Sequence, residues 1–200
     1  MSTNHWLIAC LGAIASCSGN YAATVAGKRH YDTRESCSHE IFDAGHVLFP
    51  QIRIPKALFM LLESLWLPFL FQVPWSVSKA LAADIAVRLG ALFALRAVTN
   101  VVTILPRDQE CDASKPWSLR NFIAGACYDK VFSGHLAFAM IISLAFVSYN
   151  VWPAWTGWLY SSVMAMLMVF SRGHYTVDLV LAAALAYLSW QHPVFKTVAT

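Results

Sequence analysis

A histidine and an aspartate four residues apart, His174 and Asp178, give the clearest catalytic signal in the sequence. If a helix begins near His174, the two side chains lie on one face of that helix. A carboxylate there can bind one imidazole nitrogen, fix the tautomer and leave the other nitrogen nucleophilic. The alternative is an ordinary carboxylate at a helix start beside an interfacial histidine, and the pair alone does not decide between them.

A second histidine closes the tripeptide Ser133-Gly134-His135, in which the serine is a good helix N-cap. Free N–H groups at a helix N-terminus, beside a glycine, suit a bound phosphate. If the histidine of this tripeptide converges with His174, one can attack phosphorus while the other handles the leaving-group proton. The neighbouring Arg172 can offset charge on the phosphoryl oxygens. The residues together favour phosphoryl transfer, although the tripeptide alone is equally compatible with a simple capped helix.

The composition is that of a bilayer protein. Of the 200 residues, 58% are hydrophobic and 12% are charged, whereas about 25% of a soluble domain is charged. The chain contains 8 Trp, 7 Tyr and 12 Phe, and Trp and Tyr are enriched at membrane interfaces. Intrinsic disorder is excluded because it requires low hydrophobicity. A net charge of +3 without a basic run gives no reason to expect a nucleic-acid partner.

Apolar segments predict six membrane-spanning helices in one domain over residues 1–200, so the predicted fold class is an all-α integral membrane bundle. Pro68 and Pro74 are expected to bend the second span. A long uncharged run is divided where Asn150 to Pro153 form a natural break. The predicted spans are 6–26, 57–78, 80–105, 133–149, 154–171 and 175–190.

The first span has two interpretations. Residues 14–17 are similar to a lipoprotein cleavage site, but no Lys or Arg precedes the apolar stretch, as a signal peptide requires. A retained helix is therefore the prediction. Six spans place the connections 27–56 and 106–132 and the turn 172–174 on one side of the membrane. Most of the Lys and Arg residues lie there, which favours a cytoplasmic face unless they serve an anionic substrate, so the orientation stays open.

The motifs resemble those of the sphingomyelin synthase and inositol-phosphorylceramide synthase family, which belongs to the phosphatidic acid phosphatase type 2 superfamily. The resemblance covers roughly residues 90 to 192, with a looser match at residues 42–46. Asp43 and His46 in that looser match are interpreted as structural rather than as head-group ligands. The matching segments are His174-Tyr175-Thr176-Val177-Asp178, Ser133-Gly134-His135, Leu95 to Pro106, Cys127-Tyr128-Asp129 and Trp190-Gln191-His192.

The resemblance implies a six-helix, phosphatidic acid phosphatase type 2-like fold and a phosphohistidine intermediate. His174 would be the nucleophile, and Asp178 would orient it. His135 would donate a proton to the departing diacylglycerol and then accept one from the acceptor hydroxyl. The implied partners are membrane lipids, namely a glycerophospholipid donor and a ceramide-like acceptor. The candidates for substrate or phosphate binding are Arg172, Ser133, Arg96 and Asp129.

Water is the alternative acceptor, which would make the protein a lipid phosphate phosphatase or a phospholipase C-type hydrolase with the same His/His/Asp site. The chain lacks the Lys-x6-Arg-Pro signature of the water-using lipid phosphatases, and this absence favours a transferase. A catalytically silent lipid-binding or assembly protein is a different class. The head group and a homo-oligomeric state stay open. In a eukaryote the expected membranes are the Golgi, the endoplasmic reticulum or the plasma membrane.

The remaining polar residues have structural interpretations. Cys111 and Cys127 would form a disulfide if their side of the membrane is oxidising, and otherwise stay as thiols. Cys and His spacings do not match a zinc site, and neither a metal nor a cofactor is expected. Asp84 and Arg88 are predicted to pair at i,i+4 inside the third span. Arg96, also inside that span, has a second interpretation as a buried structural cation.

Overall fold

The computed structural model describes residues 3–32, 41–103, 105 and 131–192. All regular structure in these residues is helical, which confirms the all-α prediction. The predicted positions Asp129, Cys111 and Cys127 lie outside the described residues. The helices are α1 (Thr3–Asp32), α2 (Ala44–Leu48), α3 (Lys56–Glu63), a 3₁₀ helix (Leu67–Gln72), α4 (Trp75–Val102), α5 (Gly134–Ser148), α6 (Ala154–Phe170) and α7 (Thr176–Gln191).

The predicted second span, residues 57–78, is wrong as a single bent helix. The α-helix there ends at Glu63, a 3₁₀ helix containing Pro68 follows, and Pro74 is the N-cap of α4. A proline cannot donate a backbone hydrogen bond and clashes with the preceding turn, but its fixed φ suits a helix start. For this reason α4 begins at Trp75 rather than at residue 80.

The last three helices agree with the predicted spans to within one residue at each end. Ser133 caps α5, Pro153 is the N-cap of α6, and Asn150 between them has a φ of 57°. These are residue types that start or stop helices for local reasons, which explains the agreement. The first helix is longer than its predicted span and extends from Thr3 to Asp32.

Helices α1 and α4 pack closely along each other. A Cβ atom on Gly90 of α4 would lie 2.7 Å from the carbonyl oxygen of Ile8 and 2.8 Å from Cα of Ala9. Both distances are shorter than van der Waals contact, so glycine is required at this crossing. Close approach at small residues is a common way for helices to associate in membranes.

A valine at position 90 is therefore expected to separate α1 from α4 and lower stability by about 1–3 kcal/mol, the usual cost of overpacking. Thermal unfolding of the Gly90→Val protein in detergent measures this effect. Ala82→Val is the matched control, because Ala82 lies on the same helix with an exposed side chain. Equal melting temperatures for the two variants would contradict the packing described above.

The predicted ion pair inside α4 is confirmed. Nη1 of Arg88 donates to Oδ1 of Asp84 at 2.9 Å, and the hydroxyl of Tyr149 donates to Oδ2 at 2.9 Å. The guanidinium of Arg88 also lies 4.2 Å from the ring centroid of Trp190 in α7. The buried Arg88 is therefore paired within α4 by Asp84 and joins α4 to α7 through the cation–π contact.

Helix α5 lies in the hydrophobic core between α6 and α7. Ser161 of α6 donates a hydrogen bond to Ser143 of α5 at 2.8 Å. Side chains from all three helices, and from Phe132 just before α5, are buried together, which fixes the ends of α5 and α7 relative to each other. Members of this core include Phe132, Leu136, Ala137, Ile141, Met164, Met168, Leu179 and Ala182.

Two helical segments of the described chain, Trp6–Arg29 and Trp75–Val102, are long and apolar enough to cross a membrane by length and composition. The apolar segments Ala57–Gln72, Gly134–Ser148, Ala154–Phe170 and Thr176–Gln191 are shorter. The bundle of six membrane spans therefore remains a prediction.

Candidate active site

Three separate parts of the chain meet where the sequence predicts catalytic chemistry. They are the start of α5, the loop 171–175 between α6 and α7, and residues 41–52, which we call the N-terminal clamp. The loop 171–175 follows the end of α6 at Phe170, and α7 begins at Thr176. The site therefore depends on how the clamp and the two helix starts hold this loop.

His174 and Asp178 are in contact, as predicted, but not through the expected helical geometry. Because α7 begins at Thr176, His174 lies in the loop before the helix. Its Nδ1 is 3.5 Å from Oδ2 of Asp178, whose side chain is 0% exposed. The same oxygen accepts a hydrogen bond from the backbone N–H of Tyr175 at 3.0 Å. One carboxylate oxygen of Asp178 thus both caps α7 and faces the His174 imidazole.

His135 lies in the first turn of α5, on the other side of the same site. Its ring centroid is 6.4 Å from that of His174, with the ring planes inclined at 60°. The ring of Phe59 packs edge-on against His135 at 5.4 Å. The two predicted catalytic histidines are therefore neighbours, although 39 residues separate them in the sequence.

Ser133 is the N-cap of α5, as predicted. Its Oγ accepts a hydrogen bond from the N–H of Leu136 at 3.3 Å and lies 3.3 Å from the sulfur of Met168. The residue is fully buried. The described contacts of the hydroxyl are thus structural, and phosphate binding by Ser133 stays a prediction.

Arg172 has a φ of 57°, a left-handed conformation that is uncommon for a residue with a side chain. Its Nη2 donates to the carbonyl oxygens of His46 at 2.7 Å and Phe49 at 2.9 Å. One end of the guanidinium is therefore bound to the N-terminal clamp. The predicted contact of Arg172 with phosphate remains untested.

Arg96 is buried in the interior of the bundle. Its Nε donates to the carbonyl oxygen of Phe132 at 3.2 Å, and its Nη1 donates to Oδ1 of Asn20 at 2.7 Å and to Oγ of Ser16 at 3.2 Å. Because Phe132 is three residues before His135, Arg96 connects α1 and α4 to the start of α5. These contacts agree with the structural interpretation of Arg96, and its predicted role in phosphate binding stays a prediction.

A cavity of about 350 Å³ lies beside His135. Arg96 and Glu63 contribute charged groups to a wall that is mostly apolar and aromatic. Such a lining suits a ligand with a polar group at one end and a hydrocarbon body. The cavity is lined by Ser16, Met60, Glu63, Ser64, Trp66, Phe93, Arg96, Gly134, His135 and Phe138.

Asp43 and Thr176 form a contact that the sequence interpretation did not anticipate. The N–H of Thr176 donates to Oδ2 of Asp43 at 2.6 Å, and its hydroxyl donates to Oδ1 at 2.7 Å. Burial raises the pKa of the Asp43 carboxyl, but hydrogen bonds from Thr176 and His46 outweigh it, so the net pKa is lowered. The charged form of Asp43 is therefore the one that the site stabilises.

The structural interpretation of Asp43 and His46 is correct in kind but incomplete. Asp43 does cap α2, since it accepts the N–H of His46 at 2.8 Å. Its bonds to Thr176 cross 133 residues of sequence, which no local pattern indicates. The one sequence signal for this contact was the looser family resemblance at residues 42–46, which lie far from the two histidines in the sequence.

Comparisons with known proteins agree with the motifs. Residues 126–193 match the family described as PAP2 superfamily C-terminal. The chain is similar to "Phosphatidylinositol:ceramide inositolphosphotransferase 3" of Arabidopsis thaliana, with 35% identity over 69 residues. It is also similar to "Protein PHLOEM UNLOADING MODULATOR" of Arabidopsis thaliana, with 28% identity over 86 residues.

Both similarities are partial. The first match covers 32% of this chain and 24% of the relative, and the second covers 42% of this chain and 20% of the relative. The family match nevertheless includes the region that holds His135, His174 and Asp178. The suspected resemblance to the inositol-phosphorylceramide synthase family, within the PAP2 superfamily, is thus confirmed.

Proposed function

We propose that this protein is an integral membrane phosphotransferase that moves a phospho-head group from a glycerophospholipid to a ceramide-like acceptor and releases diacylglycerol. The observation that carries the proposal is the approach of three residues. The His135 and His174 rings lie 6.4 Å apart, and Nδ1 of His174 is 3.5 Å from the buried carboxylate of Asp178. A nucleophile, its orienting group and a proton carrier are the minimum set for this chemistry.

In the first step, Nε2 of His174 attacks the phosphorus of the donor lipid. A P–N bond forms while the bond between phosphorus and the diacylglycerol oxygen breaks. Protonated His135 gives its proton to that oxygen, so that diacylglycerol leaves as a neutral alcohol. Asp178 holds Nδ1–H of His174 and stabilises the positive charge that develops on the imidazole.

In the second step, the primary hydroxyl of the acceptor attacks the phosphohistidine. Neutral His135 takes the hydroxyl proton, the new P–O bond forms and the P–N bond breaks. His174 returns to its neutral form and His135 to its protonated form, which closes the cycle. One histidine thus serves as acid and then as base, as microscopic reversibility requires.

The lipid environment is supported by the surface of the described helices. Many large apolar side chains are exposed along α1, α6 and α7, as expected for helices that face lipid. We propose that residues 1–200 form a single membrane domain of six spans, with the site at one face. The exposed side chains include Leu7, Leu11, Ile14, Trp155, Trp158, Leu159, Val177, Val180 and Leu188.

Ceramide is proposed as the acceptor class because one relative, 35% identical over 69 residues, is named a phosphatidylinositol:ceramide inositolphosphotransferase. The mostly apolar cavity beside His135 is consistent with a lipid acceptor. Choline, ethanolamine and inositol are all retained as head groups.

The test uses purified protein in vesicles that contain fluorescent ceramide with phosphatidylcholine, phosphatidylethanolamine and phosphatidylinositol. A new fluorescent phospho-ceramide is expected, its mobility identifies the head group, and a His174→Ala protein runs as the control. Diacylglycerol with free phospho-head group, and no phospho-ceramide, would show that water is the acceptor and that the transferase proposal is wrong.

A further inference from the structure

The N-terminal clamp contacts the loop around His174 at every second residue. The N–H of Ile52 donates to the carbonyl oxygen of Phe170 at 2.8 Å. Further along, Arg172 donates to two clamp carbonyls, and Nε2 of His46 lies 3.0 Å from the carbonyl oxygen of His174. Since a carbonyl oxygen can only accept, the proton of that last contact belongs to His46.

The contacts end at Thr176, the first residue of α7, where they are shortest. Asp43 accepts from both the N–H and the hydroxyl of Thr176, at 2.6 and 2.7 Å. The N–H of Gly45 donates to the same hydroxyl at 3.1 Å. A Cβ atom on Gly45 would collide with this hydroxyl, so only glycine lets the clamp approach so closely.

The first two N–H groups at the start of α7 are therefore bound by carboxylates. Asp178 takes the N–H of Tyr175, and Asp43 takes the N–H of Thr176. Negative charge at a helix N-terminus is favourable, and the two acids together fix the direction in which the chain enters α7. His174 is two residues before that point, in a loop that lies outside the hydrogen-bond ladder of the helix.

We infer that Asp43 is a positioning residue for the catalytic histidine. By holding Thr176 it keeps the loop in the one conformation in which the His174 imidazole faces Asp178. Asp43 acts through its two bonds to Thr176 and through the N–H of His46, whose ring contacts the carbonyl oxygen of His174. The effect on turnover rests on the proposed function, whereas the effect on the His174 imidazole does not.

The test compares variants of the full chain in lipid nanodiscs. Asp43→Asn removes the charge and one acceptor, and Thr176→Val removes only the hydroxyl donor. Thr176→Ser retains both donors and is expected to behave as the wild type. Asp84→Asn is the matched control, because it alters another buried carboxylate of the bundle. The described contacts of Asp84 are with Arg88 and Tyr149.

Two readouts separate positioning from general stability. In ¹⁵N-histidine NMR, the wild type is expected to hold His174 in the Nδ1–H tautomer, assigned by subtraction of the His174→Ala spectrum. Asp43→Asn and Thr176→Val are expected to give a mixture of tautomers, and kcat is expected to fall by about 10- to 100-fold with little change in KM. Asp84→Asn is expected to lower the melting temperature without moving either readout.

The two proposals fail in different ways. An unchanged His174 spectrum in both Asp43→Asn and Thr176→Val, with both variants folded, would overturn the positioning role. A mixed spectrum in the serine variant or in Asp84→Asn would also overturn it, since the effect would not be specific to the Asp43–Thr176 bonds. Absence of phospho-ceramide from the wild type would reject the proposed function while the NMR comparison still decides the role of Asp43.

Discussion

Replacement of His174 by alanine is expected to lower turnover by about 10⁴-fold or more, because the variant cannot form the covalent intermediate. The fold should persist, since the imidazole lies in a loop and its described contacts are with Asp178 and the ring of His135. The measurement is the rate of diacylglycerol release at saturating donor lipid, with the melting temperature recorded alongside.

The intermediate can also be observed directly. A donor lipid labelled in its phosphate should transfer the label to the wild-type protein, in a bond that resists alkali and breaks in acid, as phosphohistidine does. The His174→Ala protein should remain unlabelled. His192→Ala is the control, since His192 follows α7 at its opposite end. Labelling of the alanine variant, or labelling that survives acid, would assign the nucleophile to another residue.

Replacement of His135 by asparagine is expected to lower the rate by about 10²- to 10⁴-fold with a natural donor, which is the usual contribution of a general acid. The cause is the poor diacylglycerol leaving group, which must receive a proton as it departs. With a nitrophenyl phosphodiester the leaving group needs no proton. With this donor, the His135→Asn protein should form the phosphohistidine at a rate within about tenfold of the wild type.

This selective rescue distinguishes the two histidines. The His174→Ala protein should fail with both donors, because no choice of leaving group replaces a nucleophile. Equal losses for His135→Asn with the natural and the activated donor would show that His135 does not act as the proton donor. Its proximity to His174 would then have to serve binding or packing.

Much of the helical framework was predictable because its signals are local. Ser133 caps the helix that it precedes, and the break from Asn150 to Pro153 ends one helix and starts another. Such residues act through their own backbone preferences. For the same reason residues 57–78 were misjudged, since two prolines ended the α-helix where a single bend was expected.

The site was only half predictable. The sequence motifs predicted that His135, His174 and Asp178 lie together, as they do, because residue type and short spacing carry that information. The long-range contacts that hold the surrounding backbone could not be found in the same way. Asp43 reaches Thr176 across 133 residues, and Arg96 reaches the carbonyl of Phe132 across 36. Contacts of this kind follow from packing of the whole bundle and leave no periodic trace in the sequence.

The N-terminal clamp also limits which recombinants between related proteins we expect to function. The family match begins at residue 126, yet the loop that carries His174 is bonded to residues 41–52. A recombinant that joins the first half of one parent to the second half of another would inherit the histidines without their matched support. We expect viable crossovers to take both segments from the same parent, so that stretches far apart in the gene are inherited as one unit.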